Sequence, residues 1–259
     1  MKTSFEVLTI KGKYRPNNQD NFYLNGISKK MEDDNEFLTG TSDNRYQLFA
    51  VCDGMGGEDA GEMAAAFAVD NLANYEAKKF NRRWSKYIRE TNQKICQYQN
   101  ENGINMGTTF AGLCLTPYKV LGINLGDSRV YRIRNNEIVQ ITKDHNEYQS
   151  MIDAGIIMDE RTSRRAKHRL TQCLGIPEEK MVLEPYMKVL DAVVKNDIYL
   201  LCSDGLFGTL TDERIIKIIA ESSSRNESVC EALVKGAEHF GSRDNITVLV
   251  VRINEGRTP

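Results

Sequence analysis

The order of apolar and polar positions predicts strands near the start of the chain, with a buried strand following. Thr3 to Ile10 and Asn21 to Leu24 are β-prone segments on either side of a polar turn. Gln47 to Cys52 is a continuous apolar run, which is typical of a strand covered on both faces. Residues 28–46 are polar and charged, and they are predicted to form a surface loop.

Two helices are predicted after this strand, from apolar residues at helical spacing. The first begins near Glu58 and has an alanine-rich apolar face, and the second has an apolar stripe from Trp84 to Tyr98. A second pair of helices follows Cys202, and the later one has an apolar stripe from Val229 to Phe240. These stripes are interpreted as faces that pack against a core.

Short strands separated by turn residues follow Gly107, as in an antiparallel meander. Residues 144–180 are irregular and charged, with one short helical piece at 147–154. Further strands are predicted at 181–189, 198–202 and 246–253. Together these elements predict an α+β fold, in which a central antiparallel β-sandwich carries a helix pair on each outer face, in four layers.

Composition narrows the class of protein. The 259 residues carry a formal net charge of −2, which gives no electrostatic basis for nucleic-acid binding. No repeat or linker divides the chain, so a single domain, 1–259, is expected. The six isolated cysteines, the lack of a signal peptide and the lack of a long apolar stretch predict a cytoplasmic protein without a membrane partner.

Four aspartates in short turn sequences carry the candidate chemistry: Asp20 in RPNNQD, Asp53 in FAVCDGMGG, Asp204 in YLLCSDGL and Asp244 in SRDNITVLV. Asp53 and Asp204 each end an apolar run and precede a glycine, which allows the backbone to turn sharply. Converging carboxylates repel one another unless a cation lies between them. Because Mg²⁺ and Mn²⁺ prefer oxygen ligands, the pattern indicates a metal-dependent hydrolase.

Six motifs in this order resemble the metal-dependent type-2C protein serine/threonine phosphatases: GKYRPNNQDN, FAVCDGMGG, GTTFAG, NLGDSRVYRI, CSDGL and SRDNITVLV. The DGMGG form resembles the bacterial branch, and the resemblance spans the chain from about Phe5 to Val251. It implies hydrolysis of phosphoserine and phosphothreonine monoesters by in-line attack of a hydroxide that bridges two Mn²⁺ or Mg²⁺ ions.

The resemblance also implies roles for the motif residues. Asp53 would bridge the two ions, with the carbonyl oxygen of Gly54 on one of them. Asp204 and Asp244 would complete the shell of the other ion. Asp20 would lie beside them, either as a ligand or as the residue that orients a metal-bound water.

Three further positions in these motifs have an expected role. Arg15 is the expected phosphate clamp, because a guanidinium offers a planar fork of donors. Asp127 reads as a turn residue from the sequence alone, whereas the resemblance implies a weaker third ion that it would share with Asp204. Met55 stands where animal members of the family carry histidine, so protonation of the leaving group would fall to a metal-bound water.

Residues 144–180 correspond to the family's mobile flap, which lies beside the catalytic cleft. His145 and His168 fall in or near it and are assigned capping or surface roles. The flap also contains a basic run, interpreted either as a solvated face or as a docking patch for acidic or multiply phosphorylated segments. The run consists of Arg161, Arg164, Arg165, Lys167 and Arg169.

Three functions remain open at this stage. The first is an active phosphoprotein phosphatase that acts as a monomer and opposes a Ser/Thr kinase on its targets. The second is a catalytically weak adaptor that binds phosphoproteins, and the third is hydrolysis of a small phosphorylated metabolite. The core carboxylates are all present, which favours activity over the adaptor.

Overall fold

The computed structural model of the protein describes residues 1–56, 60–191, 193–225 and 227–256. The strands are β1 (Lys2–Ile10), β2 (Asn21–Leu24), β3 (Ile27–Ser28), β4 (Asn35–Ser42), β5 (Gln47–Cys52), β6 (Gly54–Gly56), β7 (Met106–Thr108), β8 (Phe110–Leu115), β9 (Lys119–Leu125), β10 (Arg129–Arg134), β11 (Glu137–Gln140), β12 (Tyr186–Asp191), β13 (Ile198–Cys202) and β14 (Ile246–Glu255). The helices are α1 (Ala60–Leu72), α2 (Ala77–Asn102), α3 (Glu147–Asp153), α4 (Glu160–Lys167), α5 (Asp204–Phe207), α6 (Asp212–Arg225) and α7 (Val229–His239).

Two six-stranded antiparallel sheets form the centre of the fold. One sheet has the order β11-β10-β13-β14-β1-β4, and the other has the order β12-β9-β8-β5-β2-β3. The short strands β6 and β7 pair separately. Apolar side chains from both large sheets meet in one cluster, which includes Val7, Phe49 and Leu249. The predicted antiparallel β-sandwich is therefore confirmed.

Helices cover the outer face of each sheet, which gives the four predicted layers. In β5, Phe49 and Val51 point between the sheets, whereas Leu48 and Ala50 pack towards α1 and α2. Residues of β13 and β14 pack in the same way towards α6 and α7, where Leu233 is buried. Successive strand side chains point to opposite faces, and both faces are covered, so these strands read as continuous apolar runs.

The predicted loop at 28–46 is wrong in its second half, because Asn35–Ser42 forms the edge strand β4. This strand pairs with β1 along its length. Its side chains alternate between half-buried and exposed, so its residues give little apolar signal. The strand is closely packed at Gly40, since a Cβ atom there would lie 2.8 Å from the ring of Phe5.

The predicted meander after Gly107 is correct for its two hairpins and wrong for the connection between them. Strands β8 and β9 pair in one sheet, whereas β10 and β11 pair in the other. The chain therefore changes sheets at residues 126–128, where Gly126 adopts a φ of 101° that suits glycine. Asp127 lies in this crossover and not in a hairpin turn.

Residues 144–180 contain two helices, α3 and α4, where the sequence predicted one. Helix α4 buries Ala166 and otherwise lacks an apolar stripe, which explains why it escaped prediction. The carboxylate of Asp159 caps it by accepting a hydrogen bond from the backbone N–H of Thr162 at 2.7 Å. The strand predicted at 181–189 begins later, at Tyr186.

The predicted start of α1 near Glu58 lies outside the described residues. Within the described ranges, no helix has both the length and the apolar character that crossing a membrane requires. The six cysteines are free thiols, and four of them are buried.

Candidate metal centre

Strand ends from both sheets bring the predicted aspartates to one edge of the sandwich. The start of β2 pairs with the end of β5, so Asp20 and Asp53 are neighbours. In the other sheet, the end of β13 pairs with the region of β14 that follows Asp244, and Asp204 begins the short helix after β13. The crossover that carries Asp127 opens onto the same edge.

Asp20 is the most deeply buried of these carboxyl groups, with 1% of its surface exposed. The hydroxyl groups of Ser203 and Thr247 each donate a hydrogen bond to its Oδ2 atom at 2.7 Å. Burial raises the pKa of Asp20 to about 7, against the lowering effect of these two hydrogen bonds. Through these two hydrogen bonds, the Asp20 carboxyl group links the two sheets beneath the candidate site.

The other aspartates also have raised pKa values. Burial raises the pKa of Asp53 well above its usual range, and the charges of Asp20, Asp204 and Asp127 raise it further. Burial and the charge of Asp244 raise the pKa of Asp204 to about 6. Burial, and then the charge of Asp204, also raise the pKa of Asp127 well above its usual range. Burial and mutual repulsion therefore make it unfavourable for all of these carboxyl groups to be ionised at the same time.

Backbone contacts fix the turn that carries Asp53. The backbone N–H of Asp53 donates to the hydroxyl of Thr109 at 2.9 Å, and its carbonyl accepts from the backbone N–H of Thr109 at 2.9 Å. At Gly54, an added Cβ would lie 2.1 Å from the carbonyl oxygen of Gly61 and 2.5 Å from that of Gln19. Only glycine fits this close approach of three chain segments.

Arg15 lies on the wall of the same site. One of its terminal nitrogens, Nη2, donates to Oδ2 of Asp244 at 2.5 Å. Its side chain is half exposed, so the guanidinium faces both the aspartates and the solvent. The remaining N–H groups of the fork are suited to two oxygens of one phosphate.

These residues enclose a cleft of about 380 Å³. Six predicted site residues line it, whereas Asp20 lies buried behind it. His168 and Leu170, from the flap, also line it, which differs from the capping or surface role predicted for His168. The lining consists of Arg15, Gln19, Asp53, Gly54, Met55, Gly56, Thr109, Asp127, His168, Leu170, Asp204 and Asp244.

The donor set fits a hard divalent cation. Carboxylate and carbonyl oxygens are the ligands that Mg²⁺ and Mn²⁺ prefer, and a cation would offset the burial and the mutual repulsion that raise these pKa values. In the described part of the chain, no three acidic, histidine or cysteine side chains already stand in the arrangement of a metal site. The aspartates therefore line one cleft, but their side chains are not already gathered around a single ion position.

The flap, residues 144–180, is attached beside this cleft at both of its ends. The backbone N–H of His145 donates to the carbonyl of Gly126 at 2.9 Å, next to Asp127. Near the other end, Leu174 forms a β-bridge with Thr108. Burial lowers the pKa of His145, which is consistent with this structural role.

The basic run of the flap is partly paired within the flap itself. Arg164 contacts Glu160 at 2.7 Å, and Arg169 contacts Glu147 at 3.3 Å. The ammonium of Lys167 lies 4.9 Å from the centre of a tyrosine ring on α3. These contacts support the interpretation of a largely solvated face for part of the run.

The sequence model of the family described as protein phosphatase 2C matches residues 27–235, which is most of the chain. The chain belongs to the protein phosphatase 2C family. A similar member is the protein phosphatase PhpP of Streptococcus pneumoniae, which is 31% identical over 96% of this chain and 97% of that protein. The matched range includes Asp53, Asp127 and Asp204, whereas Arg15 and Asp244 lie outside it.

Solved structures of protein phosphatase 2C relatives share the fold. A serine/threonine phosphatase of S. agalactiae superposes with a TM-score of 0.80 and 25% identity, over 97% of this chain and 99% of that one. The catalytic domain of the phosphatase PstP, in complex with two manganese ions, has a TM-score of 0.75 and 26% identity. That comparison covers 98% of this chain and all of the PstP chain.

Proposed function

We propose that this protein phosphatase 2C member hydrolyses phosphoserine and phosphothreonine monoesters of proteins, with Mn²⁺ or Mg²⁺ as cofactor. The observation that carries the proposal is the convergence of four aspartates and Arg15 on one cleft. When bound there, two such ions would neutralise charge on the phosphoryl oxygens and supply an activated water for in-line attack.

The proposed ligand set follows the chemistry of the cleft. Asp53 is the proposed bridging ligand, because it lies among the other carboxyl groups and its pKa responds to four of them. Asp127 and Asp204 are proposed to hold a weaker third ion, because both line the cleft and the charge of Asp204 contributes to the raised pKa of Asp127. The full proposed set is Asp53, the carbonyl of Gly54, Asp204, Asp244, Asp20 and Asp127.

Arg15 is proposed to hold the phosphate. Its guanidinium already contacts Asp244, so it is oriented towards the carboxylates before the substrate arrives. A planar fork of N–H groups can donate to two phosphate oxygens at once. Met55 also lines the cleft but has no ionisable proton. Met55 therefore cannot protonate the leaving oxygen, and we propose that the proton comes from water in the cleft.

The test is metal-dependent hydrolysis of an aryl phosphate. With added Mn²⁺, we expect turnover by the unmodified protein, loss of turnover with a chelator, and loss in the variants Asp53→Ala and Asp204→Ala. Asp43→Ala is the matched control, because Asp43 is an exposed loop aspartate. Absence of turnover in the unmodified protein, with retained binding of phosphoproteins, would favour the adaptor and reject the enzyme.

The substrate class needs a second comparison. Faster hydrolysis of phosphoserine and phosphothreonine peptides than of phosphotyrosine peptides and sugar phosphates would support the protein substrates proposed here. The opposite order would favour a small phosphorylated metabolite.

We also propose the cellular setting. The chain would act in the cytoplasm as a monomeric single domain, 1–259, on the targets of a Ser/Thr kinase. Phosphorylated proteins that accumulate when the protein is deleted, and that disappear when the kinase is also deleted, would identify those targets.

A further inference from the structure

Three cavities open one after another along the flap. The metal cleft adjoins a second cavity of about 610 Å³, which lies between the flap and the segment of α5 and α6. The two cavities share Asp127, His168 and Asp204 in their walls. Because the same side chains line both, the second cavity lies directly beside the cleft.

A third cavity of about 370 Å³ continues from the second across the tip of the flap. These two cavities share Tyr148 of α3 and Ser163 of α4. The cleft and the two cavities therefore lie in a row along the flap, and we call this row the flap trough.

The far end of the flap trough is apolar and exposed. Ile157 is 99% exposed, and Ile152 and Ile156 are each about half exposed. Met158 lines the same cavity. A cluster of exposed aliphatic side chains beside polar surface is typical of a site that binds another molecule.

The middle of the flap trough has polar and aromatic walls. The guanidinium of Arg129 lies 3.9 Å from the centre of the Phe207 ring, and the ammonium of Lys167 lies 4.9 Å from that of Tyr148. Hydroxyl groups of Ser163 and Thr209 also line it, and hydroxyls can pair with the backbone of an extended chain.

We propose that the flap trough seats the extended polypeptide next to the phosphorylated residue of a substrate, and that its far end holds a bulky aliphatic side chain. This inference rests on the function proposed above. A substrate polypeptide is the expected occupant, because the flap trough begins at the cleft. A phosphorylated segment held in the cleft must leave it along an open path.

The helix α4 sets the distance between the two ends. Ser163 of α4 lines the third cavity, and His168, which follows the end of α4, lines the cleft. These two residues are five positions apart in the chain. At a rise of about 1.5 Å per residue this is roughly 8 Å, and the isoleucines line the third cavity, which continues beyond Ser163. An extended chain advances about 3.3 Å per residue, so the aliphatic side chain should lie about three to four residues from the phosphoresidue.

Paired synthetic phosphoserine peptides test the proposal. One peptide of each pair carries leucine, and its partner serine, at a position three or four residues before or after the phosphoserine. On one side, we expect the leucine peptide to have a kcat/KM about tenfold higher, which is the effect of about 1.4 kcal/mol. We expect Ile157→Asp to reduce this preference to about one.

Val182→Asp is the matched control, because Val182 is another exposed aliphatic residue, 76% exposed, outside the flap trough. It should keep the full preference for leucine. Equal kcat/KM values for all pairs in the unmodified protein, or a preference that survives Ile157→Asp, would overturn the inference while aryl phosphate turnover upholds the proposed function. A dimer that Ile157→Asp dissociates would also overturn it, since a second copy would then cover the patch.

Discussion

The buried carboxyl group of Asp20 should lower the stability of the metal-free protein as the pH rises. Its pKa is about 7 in the folded chain, against an ordinary value of 3.8. Because the folded-state pKa is the higher one, the unfolded chain loses this proton first, and the free energy of unfolding falls between about pH 4 and pH 7. About three pH units at about 1.4 kcal/mol each give a loss of ~4 kcal/mol above pH 7.

The substitution Asp20→Asn removes the charge and keeps the size. The amide oxygen can still accept the hydrogen bonds from Ser203 and Thr247. In urea unfolding with a chelator, we expect the variant to be more stable than the unmodified protein by up to ~4 kcal/mol at pH 8. The difference should shrink towards zero below about pH 3, where the carboxyl is protonated in both states.

Asp197→Asn is the matched control. Asp197 is also buried, but it pairs with Arg134 through two contacts of 2.6 Å. Removing its charge should therefore lower stability by ~1–3 kcal/mol. An Asp20→Asn variant that is no more stable at pH 8, or whose gain is the same at pH 5 and pH 8, would refute the reasoning for Asp20.

Three other substitutions have clear expected outcomes. Lys29→Met should lower the free energy of unfolding by ~3–5 kcal/mol, because the fully buried ammonium contacts the Glu62 carboxylate; a loss below about 1 kcal/mol in urea would contradict this. Gly54→Ala should abolish phosphatase activity, because its Cβ would lie 2.1 Å from the carbonyl of Gly61; a variant with normal kcat and metal dependence would contradict the packing argument. Arg15→Ala should raise the KM for an aryl phosphate ~10-fold or more, with partial recovery in Arg15→Lys, whereas an unchanged KM would exclude a phosphate contact.

The sequence predicted the elements whose environment leaves a strong hydropathy signal. Strand β5 is covered on both faces, so its residues form an uninterrupted apolar run. Strand β4 lies at a sheet edge and helix α4 lies on the flap surface, so neither needs such a run. For α4, the capping residue Asp159 was a signal that could have located its start.

The candidate site was predictable only in part. Asp53 and Asp204 could be located from the sequence, because each follows an apolar strand and precedes a glycine. The hydroxyls that hold Asp20 were not predictable, since Ser203 and Thr247 lie 183 and 227 residues away along the chain. His168 reaches the cleft through the path of the flap, and no local pattern around it specifies that path.

The position of β14 has a consequence for how the protein is made. This strand follows every other described element in the chain, yet it lies between β13 and β1 within its sheet. During translation, β1 can pair with β4 early, but its other partner is missing until residues 246–255 have left the ribosome. Asp244 and Thr247 arrive at the cleft in the same step, so a nascent chain that lacks this strand has neither a finished sheet nor a complete cluster of carboxylates. The completion of folding and the onset of phosphatase activity should therefore be one event.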